Sequence, residues 1–186
     1  MKHLATAALM LNLGAAGIYA QQTQQRPVKM TSSGSMVPTT INLGPNTITD
    51  EEHLAGNGTL GPFTLRALRT DETSPTSFGS CGIGSGPHFR VVAGGGVFRF
   101  QDGSLLAVGI TGGALCIDTD HGVGHLTETY QIKSGTERFK GVSGGTLTLT
   151  VTLMPVVFNG PNSAVLVTMA GEFTGTISGL PDQAEN

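Results

Sequence analysis

The chain has 186 residues, of which 12% are charged, 28 are glycine and none is tryptophan, and its formal net charge is −3. Its lysines and arginines are few and nowhere clustered, which argues against a nucleic-acid partner and against docking on an anionic membrane surface. Low charge and abundant glycine fit instead a secreted all-β protein with glycine-built turns.

In chain order, Met1-Lys2-His3 is a short positive start, residues 4–18 are an apolar run, and Ala20 precedes a polar Gln-rich stretch. This is the pattern of a cleaved secretory signal peptide over residues 1–20, and the run is too short to span a bilayer comfortably. No later segment reads as transmembrane. Localisation is therefore expected to be secreted or periplasmic. Residues 21–47 are rich in Gln, Thr, Ser and Pro and carry only scattered apolar side chains. They are expected to form a flexible N-terminal segment, with a strand only near residues 41–43. The folded domain is placed at 48–180, followed by a tail at 181–186.

Within that domain, residues 60–68 read as a strand and 70–87 as an exposed loop carrying Cys81. Cys81 and Cys116 are the only cysteines. In an exported chain an even count favours a disulfide, worth about 4 kcal/mol by loop entropy alone. Neither has a basic partner in local sequence that would activate a thiolate. Strands follow at 89–93 and 97–100, with Gly94-Gly95-Gly96 between them as a bulge or bend. Asp102-Gly103 is a hairpin signal, because a two-residue turn needs positive φ. Strands at 105–117 and 126–132 come next. Over residues 146–153 four threonines alternate with Leu147, Leu149, Val151 and Leu153, a period of two that puts the apolar set inward. Pro155 interrupts that run, residues 159–162 turn the chain, and 164–170 with 172–177 close the fold, Gly171 permitting a bulge between them.

Seven or eight antiparallel strands with short turns allow a single up-and-down β-barrel of about eight strands or a two-sheet β-sandwich. Glycine corners favour the barrel, whose closure needs strong local bending. The corner itself carries Gly135, Thr136, Arg138, Phe139, Gly141 and Gly144 immediately before the alternating strand. In these residues the chain resembles the allene oxide cyclase barrel-like family, which includes dirigent proteins and reads Gly-Thr-Gly-Arg-Phe-x-Gly-Ala-x-Gly at this point. Glu137 stands where that pattern has glycine, a departure that is tolerable where the position avoids positive φ. The resemblance implies an eight-stranded antiparallel barrel and carries over no catalytic residue.

The candidate chemistry is sparse. Glu128 shares a strand face with Leu126, Tyr130 and Ile132. Turned inward, it would be a carboxylate in low dielectric, able to act as an acid or base or to anchor a ligand beside the Tyr130 hydroxyl. Lying near the open end or flipped by a bulge, it would be solvated. Asp118, Asp120, His121 and His125 lie within eight residues, but Gly122 and Gly124 make a solvated turn the better reading than a metal site. His53 and His88 have no partner in local sequence. No metal and no cofactor is expected. The expected role is binding of an apolar small molecule in the lumen or mouth, with Phe89, Phe98, Phe100, Glu128 and Tyr130 as lining. The alternatives are a cyclase, isomerase or dirigent-like guide for a reactive substrate, and a purely structural barrel with a filled core. Nothing in the chain reports an oligomeric interface.

Overall fold

The computed structural model describes residues 25–158 and 164–180. The expected signal peptide at 1–20, the expected turn at 159–162 and the expected tail at 181–186 lie outside the described residues. Among the described residues, nine strands form one antiparallel sheet: β1 Gln25–Pro38, β2 Thr47–Gly58, β3 Phe63–Glu72, β4 Ser77–Ser80, β5 Ser85–Phe100, β6 Leu105–Asp118, β7 Val123–Gly135, β8 Gly144–Phe158 and β9 Ala164–Ser178. Pairing of β1 with β9 and of β3 with β5 closes eight of them into an up-and-down barrel, and β4 is an extra strand on the early part of β5. Closure excludes the sandwich. No helix among the described residues is long and apolar enough to cross a membrane.

The barrel starts earlier than expected. Residues 25–38, assigned to a flexible segment, are a full barrel strand in which Val28, Met30, Ser32 and Met36 are buried. The serines and threonines between them face outward, so the polar composition of this stretch records one solvated face rather than disorder. Ile41 and Leu43 are exposed and belong to no strand. At three further expected interruptions the strands stay continuous, with the bulge of β5 falling just before Gly94. β5 runs straight through Gly94-Gly95-Gly96, where a Cβ at Gly94 would lie 2.3 Å from the Leu68 carbonyl oxygen and one at Gly96 2.6 Å from that of Arg66. β9 runs through Gly171 in unbroken register with Val151, a Cβ there meeting the Thr150 carbonyl oxygen at 2.0 Å. β8 continues past Pro155, because its pairing with β7 ends at Leu153 and no N–H is needed on that side, while its register with β9 slips between Pro155 and Val157.

Leu147, Leu149, Val151 and Leu153 point into the barrel as the alternation predicts. They share the interior with an aromatic cluster in which the Phe98 ring lies 5.3 Å from Phe63 and 5.2 Å from Phe173. The Gly135–Gly145 corner closes this end. It forms a short 3-10 helix, Glu137–Phe139, that drives Phe139 onto Phe100 at 4.8 Å between ring centroids. The Arg138 guanidinium lies over both rings and pairs with Asp102 at 2.9 Å, while also donating to the Leu60 carbonyl. Glu137 sits at φ 49°, in the left-handed region where glycine is favoured, so the departure from the family pattern is strained rather than neutral.

Candidate functional site

Opposite the aromatic cluster, the barrel interior is ionic. On β3 the inward period of two runs Phe63, Leu65, Ala67, Arg69, Asp71; on β2 it runs Asp50, Glu52, Leu54. These phases bring Asp50, Glu52, Arg69 and Asp71 to the face that Glu128 and Tyr130 reach from β7. Arg69 is fully buried and holds Asp71 at 2.8 Å, Asp50 at 3.0 Å, Glu52 at 3.1 Å and Glu128 at 3.6 Å. Glu128 is neither solvated at a mouth nor flipped by a bulge: it is 0% exposed.

Tyr130 joins the two halves. Its ring packs on Phe173 at 5.7 Å, and its hydroxyl lies 2.6 Å from Glu128 Oε2 and 3.1 Å from Glu52 Oε2. One phenolic hydrogen cannot serve two carboxylates. Burial, with the Glu52 charge adding to it, pushes the Glu128 carboxyl up to about 8, against the opposing pull of Arg69 and the Tyr130 hydrogen bond. The phenolic O–H donates to the nearer Glu128 Oε2, with Glu52 Oε2 as the longer alternative, and below about pH 8 Glu128 holds a proton of its own in this pair. Burial also raises Glu52, Asp50 and Asp71 above their ordinary range, in each case opposed by Arg69. For Arg69 burial opposes the charge, but Asp71, Glu52, Glu128 and Asp50 together outweigh it and hold the guanidinium charged. Two carboxylate oxygens of the cluster, Asp71 Oδ1 and Glu128 Oε1, have no hydrogen-bond partner.

Phe98 and Phe100, expected as ligand lining, are buried core together with Glu128 and Tyr130. Phe89 is half-buried. The wall beside the ionic cluster is irregular. Across the β5–β6 ladder, paired residues stop at Val91 with Gly113 and resume at Gly94 with Ile110. Val92 has no Cα partner in either β5 ladder, nor Thr111 in either β6 ladder. These facing bulges open a cleft of about 370 Å³ lined by Arg90, Val91, Val92, Thr111, Gly112 and Gly113. Its wall strands carry the cluster directly behind it, since Val91 pairs with Asp71 and Gly113 with Glu128. Bulges of this kind re-aim side chains and recur next to functional sites.

The same bulges have a second effect. Before them, even-numbered residues of β5 and β6 face inward (Phe98, Phe100, Leu106, Val108, Ile110); beyond them Val91 and Leu115 do. His88 and Cys116 are thereby turned to the outer wall, as cross-strand partners. Cys116 is bonded to Cys81, as the export argument expects, and His88 Nε2 lies 3.1 Å from Cys116 Sγ. The basic partner missing from local sequence comes from the neighbouring strand. His53 likewise finds Glu51 at 2.9 Å.

Asp118, Asp120 and His121 form a turn, not a ligand set: Asp118 accepts the backbone N–H groups of Asp120 and His121 and pairs with His121 Nδ1 at 3.0 Å. Burial would raise the Asp118 carboxyl, but these hydrogen bonds hold it below its ordinary value. His125 stands apart on β7. The Glu52–Arg69 grouping was within reach of the sequence, because the alternation from Phe63 to Ala67 continues unbroken to Arg69 and Asp71. Ending the strand at residue 68 hid it. No family model, no curated protein and no solved structure matches this chain.

Proposed function

We propose that this is an exported, non-catalytic barrel of the allene oxide cyclase-like type that binds a small molecule on its wall, at the cleft between β5 and β6. The observation that carries the reading is the pair of facing bulges at Val92 and Thr111. They leave Val92 and Thr111 without a cross-strand partner, beside Val91, the Thr111 hydroxyl, which donates to the Thr129 carbonyl, and the Arg90 guanidinium, a mixture of apolar surface and few polar groups suited to a small ligand. The interior supports this choice over a luminal ligand, since the side chains that would line a lumen pack against one another. Arg90 is shared with Glu72, which tunes rather than cancels its appeal to an anionic group. The disulfide agrees with export. Anilinonaphthalene sulfonate, an apolar anion, is a direct probe: fluorescence enhancement and a rise in Tm are expected with the native protein and are lost in Thr111→Trp, which fills the cleft. Absence of both signals from the folded native protein would remove the reading.

A second reading is an isomerase or cyclase. It is favoured by one observation, a Glu128 carboxyl that keeps its proton to about pH 8 beside a tyrosine, as a general acid requires. It demands that the β5–β6 wall open to admit substrate. Glu128→Gln would then abolish turnover while leaving dye binding at the cleft intact.

A further inference from the structure

Cys116 on β6 is flanked on the outer wall by two histidines, His88 as its β5 partner and His125 as its β7 partner. Cys81 reaches the same place from the loop after β4, with its Cα 5.6 Å from that of Cys116. Sγ of both cysteines and a ring nitrogen of His88 all lie within 4.8 Å of one another. His125 Nε2 is buried and has no hydrogen-bond partner. We propose that Cys81, Cys116 and His88 form a redox-gated zinc site, loaded only when the disulfide is reduced, with His125 as its fourth ligand.

Several features point to zinc. Two thiolates and one or two imidazoles are the donor set of tetrahedral Zn²⁺ rather than of Mg²⁺ or Ca²⁺, which take oxygen ligands. Three of the donors come from adjacent strands of a closed barrel, so the wall holds them in place before any ion arrives. Cross-strand partners keep their Cβ atoms roughly 5 Å apart, which puts the His125 ring within reach of an ion shared with Cys116 once the ring reorients. Cys81 and Cys116 are buried, which keeps the reduced thiols protonated until a metal takes their place, the protons then passing to solvent. The loop carrying Cys81 is short and exposed at Gly82 and Ile83, so the distance between the sulfurs can widen without disturbing the barrel ladder. The chemistry balances with a dithiol as reductant: it gives two electrons and two protons to the protein disulfide and becomes a disulfide itself. Zn²⁺ then displaces the two thiol protons. This inference is independent of the small-molecule reading, because the cleft is lined by Arg90, Val91, Val92, Thr111, Gly112 and Gly113 and uses none of these residues.

The protein is reduced with an excess of dithiol under anaerobic conditions, freed of reductant and titrated with Co²⁺ and then Zn²⁺. Expected are one equivalent of Co²⁺ with thiolate charge-transfer absorption and the d–d bands of tetrahedral geometry, displaced by Zn²⁺, and no binding by the oxidised protein. His88→Ala should weaken Zn²⁺ by at least tenfold and His125→Ala by about tenfold, on the scale of ligand-shell losses. Far-ultraviolet circular dichroism reports whether the reduced barrel is folded. If it is not, Zn²⁺ must restore the β spectrum in the native sequence and fail to do so in His88→Ala. Reduced protein that takes up no stoichiometric metal, or that takes it up equally with and without both histidines, would overturn the proposal.

Discussion

Around Phe98 the barrel interior is held by rings of Phe63, Phe100, Phe139 and Phe173 in edge and tilted contact, none of which titrates. Around Arg69, a few residues further along the same strands, it is held by one guanidinium among four carboxylates and a phenol. Both halves are sealed from water, but they answer to different variables. The aromatic half draws on apolar area removed from solvent, roughly 1.5–3 kcal/mol for each large side chain, and is indifferent to pH. The ionic half draws on a charge balance in which desolvation exceeds pairing for every carboxylate, so its worth depends on how many protons it holds. A barrel wall thus accommodates two kinds of core, and only the second can be switched.

Replacing the central group of each half separates them most sharply. Arg69→Met leaves ionised carboxylates buried without their counter-charge and is expected to cost about 3–5 kcal/mol near pH 8, a loss that shrinks toward pH 4 as the acids take up protons. Phe98→Ala is expected to cost a similar 3–5 kcal/mol at both pH values, from lost transfer energy and a cavity. Urea midpoints of the two variants at both pH values test the contrast. Equal pH response in the two would mean that Arg69 acts by packing alone.

Glu128→Gln probes the proton count directly. The folded-state value of about 8 lies above the ordinary 4.5. Between them the unfolded chain has released its proton while the native state retains one. Stability is therefore fully present below about 4.5 and declines as pH rises to about 8. Glutamine keeps the shape without titrating, so the variant should be more stable than the native protein above pH 8, with the advantage fading toward pH 4. Tm measured across that range reads the effect, and a constant offset would place the titration elsewhere.

The smallest expected change lies at the corner that seals the aromatic half. Glu137→Gly relieves a left-handed φ costing about 1–2 kcal/mol, partly offset by glycine's greater freedom in the unfolded chain, for a net gain of about 0.5–1 kcal/mol. No gain in thermal unfolding would show that the neighbouring Arg138 contacts, not the backbone, set the stability of this corner.

What the amino-acid order determined by itself is the local pattern. Alternation assigned Leu147, Leu149, Val151 and Leu153 to the interior, Asp102-Gly103 to a hairpin and Glu128 with Tyr130 to one face, because a strand's period of two is a property of the backbone. The disulfide followed from the even cysteine count and the expectation of export. What only the tertiary structure decided is everything that depends on a second strand. Polar β1 becomes barrel wall because β2 and β9 flank it, and Gly94 and Gly171 are required by neighbouring carbonyls. Arg69 gathers acids from β2 and β7 that lie far from it in sequence. Facing bulges at Val92 and Thr111 reverse the phase of two strands, so that His88 and Cys116 meet on the outer wall where simple alternation from Phe98 and Leu106 would have buried them. A period fixes which residues share a face; closure and register fix which faces meet.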